Sequence, residues 1–319
     1  MKKVKAGVIG VGYLGRFHAQ KYAALDNTDL VWVVDASQEQ ADKVAEECGC
    51  IGYNDYKNIL DQVDVVSIVV PTTYHYNVAF DCLSAGLDVL LEKPMTVTIE
   101  EADKLNAVAK EKNLILQIGH LERFNPAMLA LEPFLEKPAF IESHRVAPFM
   151  KRATDVDVVL DLMIHDIEII LGLIKSPIKS VHCIGTAVAT LTNDLVNARI
   201  VFENGATANI TTSRLAFKTS RKMRIFQKDS IINVDFGTKE TTVLKRVGEL
   251  GQECMPDFEQ SSHSFPEADA LKSEIIAFVD HVKNRTKPTV SGIEGREALA
   301  VALEVISQVE ANKKLPAFQ

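Results

Sequence analysis

The tripeptide Glu92-Lys93-Pro94 closes an apolar run, and a lysine in that place can do chemistry. The proline restricts the residue before it and turns the chain. An ammonium held there could steady negative charge on an oxygen while hydride leaves the neighbouring carbon. A strand-end surface charge would use the same residues. Asp161 and His165 form a second candidate pair. Four positions apart in a helical stretch, they share a face, and an imidazole beside a carboxylate can take a proton from a hydroxyl. The spacing equally describes a core histidine held by a helical aspartate. No third and fourth ligand follows in a clear spacing, so no metal is expected.

Hydride chemistry needs an acceptor, and the chain opens with a place for one. Gly10-Val11-Gly12-Tyr13-Leu14-Gly15 follows an apolar strand and begins a helix, the context a dinucleotide fingerprint requires. Gly10 would make the tight turn, Gly12 would let the amides of Tyr13 and Leu14 approach a pyrophosphate, and Gly15 would let the helix pack on the strand. Asp35 ends the next strand, where a carboxylate accepts from ribose hydroxyls and repels a 2′-phosphate, so NAD is expected over NADP. Pro71, Thr72 and His75, after a further strand, are candidates for the cofactor wall, together with Glu92 and Lys93.

These residues need elements to hold them. The first third alternates apolar β-type runs (4–10, 30–35, 65–70, 89–92, 114–119) with helical periods (14–25, 38–48, 74–85, 99–112). That is the grammar of a doubly wound parallel α/β sheet, a Rossmann domain over residues 1–121. Residues 122–319 read as an α+β substrate-binding domain: a helix over 127–135, a strand over 139–146, a helix over 158–173, and β segments from 178 to 244 forming a large open, mostly antiparallel sheet. Two helices, 267–284 and 294–312, close the chain, and the last is expected to be able to pack back on the first domain. A large sheet with few helices covers one face, so an apolar second face implies a homodimer or homotetramer.

At 319 residues two cores are expected. A net charge of −8 argues against nucleic-acid and anionic-membrane partners. No apolar run approaches the length of about 20 residues that spans a bilayer. Five cysteines, too few and odd in number for a disulfide framework, fit reduced thiols in the cytoplasm.

Taken together, the fingerprint glycines, Val70-Pro71-Thr72 with His75, Glu92-Lys93-Pro94, Asp161-x-x-x-His165 and the closing Ser291-Gly292-x-x-Gly295-Arg296 resemble the Gfo/Idh/MocA oxidoreductase family from end to end. The resemblance implies NAD-dependent oxidation of a secondary hydroxyl, with Lys93, Asp161 and His165 as the catalytic set. The stretches 119–126 and 145–160 are similar to the nucleotide-sugar branch. That likeness implies a UDP-sugar, with UDP-N-acetylglucosamine and its 3-keto product, a precursor of the 3-amino sugar of lipid A, as the expectation. The Gly-Gly pair that often precedes the family's aspartate is missing. Arg123, Asn125, Arg145, Lys151, Arg152 and His165 are then candidates for binding substrate, and guanidinium forks suit a diphosphate. A charged loop, or an interdomain salt bridge at Arg123, would use the same residues. A free sugar or inositol substrate, or a non-catalytic NAD(H)-binding sensor, are the alternatives.

Overall fold

The computed structural model describes residues 3–150, 156–248 and 257–313, and within them the chain divides into two compact units. The first is built by βα alternation. Its strands are β1 (Val4–Ile9), β2 (Thr28–Val34), β3 (Ile51–Tyr53), β4 (Val65–Ile68), β5 (Asp88–Glu92) and β6 (Leu116–Gly119). They form one parallel sheet in the order β3-β2-β1-β4-β5-β6. Between them run α1 (Tyr13–Ala24), α2 (Gln38–Cys48), α3 (Thr72–Ser84) and α4 (Ile99–Glu111). Strands β4 and β5 are buried at every position, as a sheet covered on both faces demands. Two of the helix starts have a side-chain cause. Ser37 caps α2 by accepting from the Gln40 N–H, and Thr98 with Glu101 forms a reciprocal capping box on α4.

The second unit holds β7 (Phe140–Val146), β8 (Ile178–Thr186), β9 (Leu195–Phe202), β10 (Thr207–Ser213), β11 (Ser220–Phe226), β12 (Ser230–Asp235), β13 (Glu240–Val247) and β14 (Asp257–Ser264). Their order is β14-β13-β12-β11-β7-β10-β9-β8, antiparallel throughout except that β7 and β10 run parallel. The expected helix over 127–135 is two short pieces, α5 (Pro126–Leu129) and a 3₁₀ turn at Glu132–Phe134. Pro133 brings no N–H to continue a helix across the gap. The expected helix over 158–173 is a π turn, Val159–Met163, running into α6 (Ile164–Leu173).

The units are not consecutive stretches of chain, as a domain over 122–319 would require. Residues 122–268 and 300–319 form the second, whereas 269–299 return to the first. The reason is packing. Helix α7 (Ala270–Asn284) presents Leu271, Ile275, Phe278 and Val282 to a core that also contains Val8, Tyr22, Val33 and Leu90. Helix α8 (Gly292–Asn312) begins beside it, where Asn106 bonds the Gly292 carbonyl and Arg296 pairs with Asp103. The closing Ser291–Arg296 motif is therefore structural, with Glu294 accepting from the Ser291 N–H.

On the large sheet, Ile141, Met223, Ile225, Ile232 and Val243 face inward. The opposite face is mixed. Phe140, Phe226, Ile231 and Leu244 stand in register across four strands, while Glu142, Lys222 and Arg224 add charge. The premise of an apolar second face is thus met along one row only. No described helix is long and apolar enough to cross a membrane.

Candidate active site

In the first unit the strand ends converge at one edge. The order of the sheet reverses between β1 and β4, the crevice where open α/β sheets take ligands. After β1 the chain turns at Gly10 with φ +87°, a conformation glycine adopts without penalty. A Cβ on Gly15 would meet the Gly10 carbonyl oxygen at 1.8 Å, so α1 seats tightly against the turn only because both are glycine. A Cβ on Gly12 would meet nothing within 4 Å, which leaves open space in front of the first amides of α1. That is the cradle a pyrophosphate needs at a helix N-terminus. Asp35 follows β2 with its carboxylate fixed by the Val11 N–H at 3.0 Å and the Ser37 N–H at 3.1 Å. Each oxygen keeps a second lone pair, the acceptor a ribose hydroxyl requires. The residues present fit a dinucleotide.

The wall after β4 differs from the sequence expectation at one residue. His75 is 1% exposed, with Nδ1 2.8 Å from the Pro94 carbonyl and Nε2 2.9 Å from the Val70 carbonyl. It stands behind Pro71 and Thr72 and ties the end of β4 to the Lys93-Pro94 turn, so its ring nitrogens do not face a ligand. Burial holds its pKa below the ordinary histidine value, against the two carbonyls. Pro71 precedes α3 and Thr72 opens it. Lys93 is half-buried, directly beyond β5 and at the same edge as Gly10 and Asp35.

In the second unit Asp161 lies in the π turn and His165 in the first turn of α6, both half-buried. π turns of this kind recur at functional sites. The entry to the turn is clamped from two loops, the one between β8 and β9 and the one after β10. Asn193 donates to Asp157 at 2.6 Å and the Arg214 guanidinium to the Val156 carbonyl at 2.6 Å. Asp194 receives the Val188, Ala189 and Thr190 N–H groups. Burial works against the Asp194 charge, but those donors hold its pKa below the usual carboxylate value.

Two of the proposed substrate contacts, Arg145 and Asn125, are corrected. Arg145 is 3% exposed, and its guanidinium is held by two carboxylates. Nε and Nη2 bond both oxygens of Asp166 at 2.9 and 3.1 Å, and Nη1 bonds Glu122 at 2.7 Å. Burial opposes the charge, yet the two carboxylates hold the guanidinium pKa above its ordinary value. Buried and paired with two carboxylates, it is not open to a diphosphate. Asn125 caps α5 through Oδ1, and its amide serves Glu122 and the Phe236 carbonyl. Arg123 is directed at Glu168 of α6, 3.7 Å away and within the same unit, which also replaces the interdomain alternative. Lys151 and Arg152 lie outside the described residues.

Comparison with known proteins meets the fold at this point. Residues 4–120 match the oxidoreductase family with an NAD-binding Rossmann fold, and residues 137–232 match the GFO/IDH/MocA C-terminal domain. Over 312 residues the chain is 39% identical to UDP-N-acetylglucosamine 3-dehydrogenase from Acidithiobacillus ferrooxidans, covering 98% of this chain and 99% of that protein. The chain belongs to the Gfo/Idh/MocA oxidoreductase family.

This Gfo/Idh/MocA chain is an NAD-dependent oxidoreductase. A solved structure of the Acidithiobacillus enzyme superposes with a TM-score of 0.90 at 38% identity, covering 98% and 99% of the two chains. Scyllo-inositol 2-dehydrogenase (NAD(+)) from Bacillus subtilis is 27% identical over 327 residues, 94% of this chain and 92% of that one. Sequence reasoning missed the supporting residues of this family member: Asp166, Glu122, Asp194 and Arg214. Asp166 adjoins His165, but only the packing of α6 on β7 brings Arg145 to it, and no local spacing signals that.

Proposed function

We propose that the chain oxidises the C3 hydroxyl of UDP-N-acetylglucosamine to the ketone, the step that prepares a 3-amino sugar for lipid A. The observation that carries this reading is the 39% identity to the Acidithiobacillus dehydrogenase along the whole of both chains. NAD, when bound, supplies the acceptor for the hydride. In this reading His165 takes the hydroxyl proton, Lys93 steadies the negative charge on the oxygen, and Asp161 orients or electrostatically supports the pair. Gly10, Gly12, Tyr13, Leu14, Gly15 and Asp35 hold the dinucleotide, with Pro71 and Thr72 beside them. Lys151 and Arg152 are the cations assigned to the diphosphate. The protein works in the cytoplasm as a homodimer or homotetramer, for which the row Phe140, Phe226, Ile231 and Leu244 offers the apolar contact.

The test is NAD reduction by purified protein with UDP-N-acetylglucosamine, with glucose and inositol as parallel substrates. Reduction with the nucleotide sugar alone supports the proposal. Reduction with inositol alone replaces it with an activity like that of the Bacillus subtilis scyllo-inositol 2-dehydrogenase.

A further inference from the structure

A buried charge cluster lies behind the Lys93 turn, inside the first unit. His18, on α1, is 0% exposed, and its Nε2 stands 3.3 Å from Glu92 Oε1. Glu92 Oε2 accepts the Lys93 N–H at 3.2 Å. A Cβ on Gly119 would come within 2.8 Å of Glu92 Oε1, so the carboxylate occupies space that only a glycine on β6 leaves open. Glu274, on α7, is likewise 0% exposed, and neither of its carboxyl oxygens has a hydrogen-bond partner among the described residues. Burial, with the Glu92 charge beside it, pushes the Glu274 carboxyl well above the usual range. Burial without a partner therefore keeps Glu274 neutral, whereas Glu92 has the Lys93 N–H and, 3.3 Å away, the His18 imidazole beside it.

We infer that Glu92 is a positioning residue for Lys93: accepting the Lys93 N–H, beside His18 and seated against Gly119, it fixes the backbone of the lysine turn and places a carboxylate next to it. This rests on the proposed role of Lys93. It replaces the expectation that Glu92 contacts the cofactor, because the side chain points inward and is 11% exposed. A carboxylate that acts through Lys93 changes how readily the ammonium forms and where it stands. A cofactor ligand would instead change the affinity for NAD.

The experiment compares wild type, Glu92→Gln, Glu92→Asp and His18→Gln as full-length proteins. Three quantities are read: the NAD dissociation constant, the pH dependence of Lys93 acetylation by acetic anhydride followed by peptide mass spectrometry, and kcat with KM on UDP-N-acetylglucosamine. For Glu92→Gln the apparent pKa of Lys93 should fall by about one unit. The kcat should fall about ten- to a hundredfold, with the NAD dissociation constant within about threefold of wild type. Glu92→Asp, which keeps the charge, should restore the lysine titration in part, and His18→Gln should shift it in the same direction as Glu92→Gln. Gly119→Ala, which displaces the carboxylate without altering its charge, is the second route should Glu92→Gln fold poorly, and it should lower kcat in the same way. NAD affinity weakened about tenfold with the Lys93 titration unmoved would overturn the inference and return Glu92 to the cofactor. The acetylation readout needs no substrate, so a protein inactive on UDP-N-acetylglucosamine but showing the lysine shift would sink the substrate and leave the positioning role standing.

Discussion

Replacing Asp166 by alanine removes two of the three hydrogen bonds that hold the buried Arg145 guanidinium and leaves its charge with Glu122 alone. Asp166 is itself 1% exposed, so water cannot easily take the place of the lost carboxylate. Breaking a buried ion pair from one side costs about 3–5 kcal/mol. A unit of this size loses roughly 2–4 °C of Tm for each kcal/mol, so the transition of the second unit should fall by about 6–20 °C. Asp166→Asn keeps the shape and one acceptor and should cost less, about 1–3 kcal/mol. Differential scanning calorimetry on the two variants and on Arg145→Met reads these values, and the double variant Asp166→Leu with Arg145→Met should recover part of the loss, since no charge is then stranded. Two results would refute the reasoning: a Tm within about 2 °C of wild type for Asp166→Ala, or an Arg145→Met protein that melts normally but no longer holds a UDP-sugar. The second would return Arg145 to the diphosphate.

Other predictions concern separate parts of the molecule. Glu274 has its folded-state pKa raised, so the folded state binds more protons than the unfolded one, and stability drops as pH rises from the ordinary carboxyl pKa towards the raised one. Glu274→Gln should therefore stabilise the protein at pH 7 and 8 and flatten its stability above pH 5 by up to about 1.4 kcal/mol per pH unit, measured by urea unfolding across pH; an unchanged pH slope would show that Glu274 is ionised in the fold. Gly15→Ala brings a Cβ to 1.8 Å from the Gly10 carbonyl oxygen and should abolish NAD binding in calorimetric titration. His165→Ala should lower kcat by about 10² to 10⁴, and unchanged turnover would remove it from the role of base. Sedimentation should show a dimer or tetramer that Phe226→Glu dissociates; a monomeric wild type would discard the sheet interface.

How much was readable in the sequence follows from how local each signal is. The fingerprint and Asp35 were legible because a strand, a turn and a helix N-terminus lie next to one another in the chain, and the turn demands glycine at Gly10 and Gly15. Strand β3 carries three residues and β14 is exposed at seven of its eight positions, so neither shows the apolar run that marks a strand. Helix α7 was legible as a helix, but not its return to the first unit, because an amphipathic stripe does not say which core receives it. Arg145 misled for a related reason. A basic residue near a candidate loop reads as a ligand for anions, and only the tertiary packing of helical segments against β7 shows that its anions are Asp166 and Glu122.

The measurement that tests the central claim most directly is NADH formation at 340 nm on mixing the purified protein with NAD and UDP-N-acetylglucosamine, with a carbonyl trap to draw the oxidation forward. NADH should form from the nucleotide sugar and not from glucose or inositol, and the signal should be lost with Lys93→Ala or His165→Ala. NADH from a free polyol and none from the nucleotide sugar would contradict that claim.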